Sequence, residues 1–115
     1  MALSEFEIER IKALVEEFLE RRRPPLEIRD KLDLGYRIEG QSVVLFEVRS
    51  RYDNPKEKIE FAVAKATYVR KSNSWKIFWQ RADLRWHGYE PHPEVDSLEK
   101  FLEVVDKDQY HCFWG

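Results

Sequence analysis

The sequence predicts an α+β domain: an antiparallel sheet of about five strands, a hairpin plus a three-stranded meander, flanked by an N-terminal and a C-terminal helix. Residues 59–89 read as three consecutive strands separated by short polar turns. Both ends of the chain instead space their apolar residues with a helical period. Since 115 residues suffice for one domain but not for two ordinary ones, we expect a single domain over residues 1–115.

The first helix has clear signals at both ends. Ser4 is a good N-cap, and Glu7, three residues later, completes a capping box. Three arginines end the helix, where cations favour its dipole, and Pro24 and Pro25 stop it. One apolar stripe follows the helical spacing and comprises Ile8, Ile11, Leu14, Val15, Phe18 and Leu19.

A short second helix is expected from Leu26 to Leu32, because Pro25 suits a first helical turn. Leu26, Ile28 and Leu32 would be its buried residues. A hairpin of Tyr36–Glu39 and Ser42–Arg49 then turns at Gly40 and Gln41.

The meander comprises the predicted strands Ile59–Arg70, Trp75–Gln80 and Arg85–Tyr89. A four-residue loop over 81–84 would place Trp79 opposite Trp86 and gather the indoles on one face, which burial favours. We expect the N-terminal helix to cover this face. Its small members, beside the indoles, would be Ala62, Ala64 and Ala66.

A last helix follows a proline-flanked loop. Asp96 or Ser97 is its N-cap, and Glu99 would complete a capping box from Asp96. Its apolar stripe comprises Leu98, Phe101, Leu102 and Val105. The aromatic tail, residues 110–115, is expected to dock on the domain.

Charge and cysteine content limit the functional classes. The net charge is −2, but residues 48–88 carry ten basic and four acidic side chains, and residues 89–115 carry two and seven. The two segments are expected to neutralise each other across the fold. The single cysteine excludes an intrachain disulfide, and neither a signal peptide nor a membrane-length apolar run is visible. These features favour a cytoplasmic protein without a membrane partner.

Several stretches resemble a known family. They are Ser4–Glu7, Arg22–Pro25, Leu32–Ile38, Val63–Tyr68, Trp75–Leu84 and the terminal Phe113–Gly115. Together they are similar to a small bacterial family catalogued as domain of unknown function 3024. The resemblance spans essentially the whole chain and implies a bacterial cytosolic protein. It implies no activity, cofactor or catalytic residue.

Metal binding is the first chemical hypothesis. His92, His111 and Cys112 lie in the last third of the chain and are the candidate ligands. Zinc sites use about four nitrogen or sulfur ligands. The paired spacing typical of zinc sites is absent, and adjacent residues such as His111 and Cys112 point apart in an extended chain. We therefore predict no metal and no other cofactor.

Single-stranded nucleic-acid binding is the second hypothesis. The register that gathers the indoles leaves a basic, aromatic face behind them. Aromatic rings there would stack on bases while cations meet phosphates. The competing interpretation is that the last helix covers Phe78 and neutralises the cations. The candidate binding residues are Lys76, Phe78, Arg85, His87 and Tyr89.

An enzymatic role has less support. Glu47-Val48-Arg49 approximates a metal-dependent nuclease motif, but arginine stands where that motif has lysine. No nucleophile elbow or phosphate-binding glycine loop occurs, and no catalytic residue is assigned. The leading expectation is a non-enzymatic protein-interaction module that binds an unknown protein partner or itself, because exposed Tyr, Trp and Arg are typical of interface hot spots.

Overall fold

The computed structural model describes residues 3–114 and confirms the α+β class. Six strands and two helices follow in the order α1 (Glu5–Arg22), β1 (Leu32–Glu39), β2 (Ser42–Ser50), β3 (Lys58–Val69), β4 (Ser74–Gln80), β5 (Trp86–Gly88), β6 (Glu94–Val95) and α2 (Leu98–Lys107).

The strands form one antiparallel sheet in which β1 to β5 are neighbours in chain order. The predicted turn between β1 and β2 is confirmed: Glu39 pairs with Ser42, and Gly40 adopts the left-handed region at φ 59°. The two-residue strand β6 was not predicted. It pairs with the first half of β4, on the same edge as β5, and is too short to show a period.

The N-cap of α1 was predicted from the sequence, whereas for α2 the prediction left Asp96 and Ser97 open. The Ser4 hydroxyl accepts the N–H of Glu7, whose carboxylate accepts the N–H of Ser4, so the capping box of α1 is confirmed. In α2 the N-cap is Ser97, which accepts the N–H of Lys100. Because Lys100 occupies the third helical position, the capping box expected from Asp96 does not form. The predicted apolar stripe of α2 is buried.

The predicted short helix is wrong. Residues 26–31 form successive turns instead, and β1 begins at Leu32, four residues earlier than expected. Leu26 is 75% exposed and Ile28 45%, so neither finds an apolar surface to pack on. Short helices gain most of their stability from such packing, and this one lacks it.

The predicted register of the last hairpin is wrong by one residue. Trp79 pairs with His87, and Gln80 pairs with Trp86, so the loop has five residues, 81–85. Its shape is set locally: Leu84 adopts φ 63°, and the Asp83 carboxylate accepts the N–H of Arg85 at 2.9 Å. Trp86 therefore lies on the opposite face of the sheet from Trp79.

A β-bulge in β3 removes Ala62 from the predicted row of alanines. Leu45 pairs with Ala64 but Phe46 pairs with Ala62, which leaves Val63 as the extra residue. Ala62 consequently lies on the other face, beside Phe46. Ala64 and Ala66 are confirmed on the indole face, opposite Trp79 and Ile77 respectively, and both are fully buried.

Both helices cover the same face of the sheet. The backbone of α1 lies closest to β1 and α2, whereas α2 lies over β3, β4 and β6. The expectation that the N-terminal helix packs on the face of the alanines and indoles is confirmed, since α1 shares one core with them and lies beside Trp75. α2 shares this face and lies closer to β3 and β4. The core between the layers includes Val15, Phe18, Val43, Leu45, Ile77, Tyr89, Phe101 and Val105.

The tail docks as predicted, as far as Trp114; Gly115 lies outside the described residues. Phe113 is buried, and the Trp114 indole N–H donates to the Val105 carbonyl at 2.9 Å. The Asp108 carboxylate accepts both backbone N–H groups, from Phe113 at 3.0 Å and Trp114 at 2.9 Å. The tail thereby closes the core beneath Tyr89, whose ring lies 4.8 Å from that of Phe113.

Candidate functional site

The sheet face opposite the helices is the candidate site. No helix among residues 3–114 lies over it. We call it the open face, and it presents Arg37, Val44, Phe46, Lys65, Lys76, Phe78 and Trp86. The register aligns Arg37, Val44, Lys65 and Phe78 in one row across four adjacent strands.

The apolar centre of the open face is packed by its own neighbours. Val44 is only 2% exposed and Phe46 9%, although no helix covers either. The Phe46 ring lies directly against Gly35, where an added Cβ would come within 2.7 Å of it. The Arg37 guanidinium lies 5.2 Å from the same ring. The face is therefore a formed surface and not a row of solvated side chains.

Lys65 lies between two further aromatic side chains and contacts both. Its ammonium lies 5.0 Å from the centre of the Phe78 ring and 4.9 Å from that of Trp86. Burial lowers the pKa of Lys65, because a desolvated ammonium is less favourable than one in water. Each cation–π contact contributes about 0.5–1 kcal/mol at an exposed site. The three groups hold one another in place, with both rings half-buried.

Carboxylates neutralise much of the positive charge on the open face. Arg37 binds Glu39 at 3.2 Å and Glu60 at 2.8 Å. Glu94 lies opposite Lys76 in the register of β4 and β6, and its carboxylate accepts a hydrogen bond from Ser74. The face is thus mixed in charge, and a phosphate backbone would have to compete with these acidic groups.

The structure separates the five predicted nucleic-acid-binding residues. Lys76 and Phe78 lie on the open face, whereas Arg85 lies in the β4–β5 loop. His87 is on the helix-covered side and contacts Asp83 at 2.9 Å. Tyr89 is 1% exposed and forms part of the core.

The expectation that these five side chains share one surface is therefore wrong, because the one-residue shift of β5 exchanges its faces. The same shift brings Trp86 onto the open face. Sequence reasoning also missed Lys65, although the pairing of Ala64 with Trp79 implies that Lys65 faces Phe78.

The metal candidates do not assemble. Within residues 3–114, no three His, Cys, Asp or Glu side chains are grouped closely enough to hold a metal ion. His92 stacks beside Tyr89 at 6.4 Å between ring centres, while His111 is exposed in the tail. Cys112 is half-buried, and burial raises the pKa of its thiol, which disfavours the thiolate that metals and electrophiles require.

The nuclease-like motif is engaged in local contacts. The Glu47 carboxylate binds the Arg49 guanidinium at 2.9 Å. The described carboxylates provide no metal-holding group around it.

A comparison with protein families decides the family. A model described as a domain of unknown function, DUF3024, matches residues 3–115. The chain belongs to this family. Membership of DUF3024 confirms the resemblance seen in the sequence and assigns no activity. No match to the chain was found among the curated proteins or among the solved structures.

Among residues 3–114, neither α1 nor α2 is both long enough and apolar enough to span a membrane.

Proposed function

We propose that this DUF3024 chain is a non-enzymatic protein-interaction module of the bacterial cytoplasm, and that a partner protein binds its open face. One observation carries the proposal: Phe78 and Trp86 are half-exposed on a sheet face that neither helix covers. Large aromatic side chains and arginines dominate the binding energy of protein interfaces. Lys65 holds both rings in place, so little conformational entropy would be lost on binding.

The charge distribution favours a protein partner over a polyanion. The ion pairs of Arg37 leave carboxylates and cations interspersed around an apolar centre. An apolar centre with a polar rim is the usual composition of a protein interface. A nucleic-acid surface would instead present largely unpaired cations.

Site-specific photo-crosslinking in cells tests this proposal. A benzoylphenylalanine in place of Phe78 should give a discrete crosslinked protein. The same probe in place of Phe6, which is 80% exposed on α1, is the matched control and should not. Adding Trp86→Ala should reduce the Phe78 crosslink about tenfold or more, as expected for an interface hot spot. Equal crosslinking from both positions, or none from Phe78, would contradict the proposal.

The Lys65 cluster supports single-stranded nucleic-acid binding as a second candidate. Phe78 and Trp86 could each stack on a base, which contributes about 1–3 kcal/mol per base. Fluorescence anisotropy with labelled single-stranded DNA and RNA at two salt concentrations separates the candidates. A nucleic-acid site requires an affinity that falls with salt, and Lys65→Gln must reduce that dependence. Binding that Trp86→Ala leaves unchanged would exclude the open face as the site.

A further inference from the structure

The first part of β3 has a free edge. β2 pairs with β3 along Lys58 to Thr67, but β4 pairs with it only from Ala64 onward. Within the described part of the chain, no strand lies against the other edge of residues 58–62. β1 continues beside β2 as far as Arg49, so β1, β2 and β3 together extend beyond β4, and this edge of β3 can receive another strand.

The backbone direction along this edge is fixed by one hydrogen bond. The Glu57 carbonyl accepts the Arg51 N–H at 2.9 Å, so Glu57 directs its polar groups toward β2. Every second residue of an antiparallel strand directs its N–H and C=O groups to the same side. The backbone groups of Ile59 and Phe61 therefore also point toward β2. Lys58 and Glu60 therefore direct their N–H and C=O groups toward the free edge.

The side chains along the edge are self-complementary. Ile59 and Phe61 lie on the helix side of the sheet, beyond the cover of both helices, and are 38% and 46% exposed. Lys58 and Glu60, of opposite charge, flank Ile59 on the open-face side. A strand with the order Lys-Ile-Glu that meets its own antiparallel copy aligns each lysine with a glutamate and each isoleucine with itself.

We propose that this edge is a docking site for a second copy of the chain, in which two β3 strands pair antiparallel about a two-fold axis at Ile59. Lys58 then lies opposite Glu60 of the second copy, in hydrogen-bonded pairs on either side of the axis. Arg37 binds Oε1 of Glu60, and the other oxygen, Oε2, can accept the incoming ammonium. In the single chain the Lys58 ammonium contacts the Asp30 carbonyl and the Ser50 hydroxyl on the β2 side, so the pair requires this side chain to turn to the free edge, where all three of its donors face the second copy.

This contact uses a different surface from the proposed partner-binding function. The open face stays available in the dimer, because the new pairing extends the sheet sideways and covers neither of its faces. Trp86→Ala should therefore leave the dimer unchanged, and Ile59→Cys, whose side chain lies on the helix side of the sheet, should leave the Phe78 crosslink unchanged under reducing conditions. Failure of either proposal would thus be distinguishable from failure of the other.

Single cysteines test the pairing and its register. In a Cys112→Ser background, Ile59→Cys places two thiols across the axis in a non-hydrogen-bonded pair, where Cα atoms lie about 4.5 Å apart. That distance permits a disulfide. Phe61→Cys is the matched control, because the two copies of residue 61 would be offset by about 13 Å along the strand. Mild oxidation should crosslink the Ile59→Cys chain and not the Phe61→Cys chain.

A charge exchange gives a second, independent readout. Lys58→Glu places like charges across the axis and should shift the monomer–dimer equilibrium toward monomer in sedimentation velocity. Adding Glu60→Lys restores opposite charges and should restore the dimer. Lys71→Glu, in the exposed β3–β4 turn, makes the same charge change away from the edge and should have no effect.

The outcomes are decisive in both directions. Selective crosslinking at Ile59 together with rescue by the double exchange supports the proposal. A wild-type chain that sediments as a monomer up to several hundred micromolar would overturn it. Equal crosslinking of the Ile59→Cys and Phe61→Cys chains, or a double exchange that stays as monomeric as Lys58→Glu, would overturn it as well.

Discussion

Gly35 shows how one absent side chain shapes the open face. The Phe46 ring packs onto the backbone of β1 where a Cβ at residue 35 would stand. Phe46 is consequently buried without a covering helix, and Arg37 lies over its ring. Gly35 is needed here for the close approach of the Phe46 ring to the backbone.

Gly35→Ala should therefore destabilise the fold by overpacking. The new methyl group would lie 2.7 Å from the Phe46 ring, so the ring must rotate toward solvent. We expect the free energy of unfolding to fall by about 1–3 kcal/mol, measured by urea denaturation.

Gly35→Ala combined with Phe46→Leu is the control for this prediction. The smaller side chain leaves room for the methyl group, so the alanine should cost less in the Phe46→Leu background than in the wild type. An equal cost in both backgrounds would show that the ring contact is not the cause.

Single residues were most predictable where their partners lie within one turn. Ser4 could be assigned as an N-cap, and Ser97 as one of two candidates, because a hydroxyl meets an N–H three residues later, whatever the rest of the chain does. Lys65 could not be singled out, because its partners Phe78 and Trp86 lie on other strands. Their approach depends on two registers that local patterns do not determine.

Among the elements, β5 shows why the register was missed. The prediction assumed that burial gathers every indole on one side of the sheet. Trp86 instead lies half-buried on the open face, where its ring contacts Lys65. The 81–85 loop determines the register, because Leu84 adopts the left-handed region and the Asp83 carboxylate accepts the Arg85 N–H. Leucine rarely adopts that conformation, so the sequence contains no signal for it.

The end of α2 provides a test at the level of an element. Asp108 ends the helix in the left-handed region at φ 40°, and its carboxylate is the acceptor that holds the tail. Asp108→Ala removes the acceptor from two N–H groups. Because the Phe113 N–H is buried, we expect a loss of about 1–3 kcal/mol in thermal or urea unfolding.

Asp108→Asn is the matched variant, because asparagine tolerates the left-handed region and keeps one amide oxygen as an acceptor. It should lose clearly less stability than Asp108→Ala. Tail detachment should also expose Trp114, so a red shift of tryptophan emission is expected for Asp108→Ala. Identical stability of both variants would contradict the assigned role of the carboxylate.

For the whole molecule, the sequence predicted the class and most of the elements but not their layering. Helical and alternating periods predict which residues face a core, and the predicted core residues of α1, α2 and most of β1 to β4 are buried. They do not specify which helix lies over which strand. The placement of α2 over β3 and β4, and of α1 along β1, emerges only from packing. The open face follows from that layering, since both helices occupy the same side.

The central claim is that Trp86 belongs to the open face, beside Lys65 and Phe78. Nuclear Overhauser contacts in solution test it most directly. The side-chain methylenes of Lys65 should show contacts to both the Phe78 and Trp86 rings, with upfield shifts from the ring currents. Contacts from the Trp86 ring to Trp79 or to α2, with none to Lys65, would contradict the account.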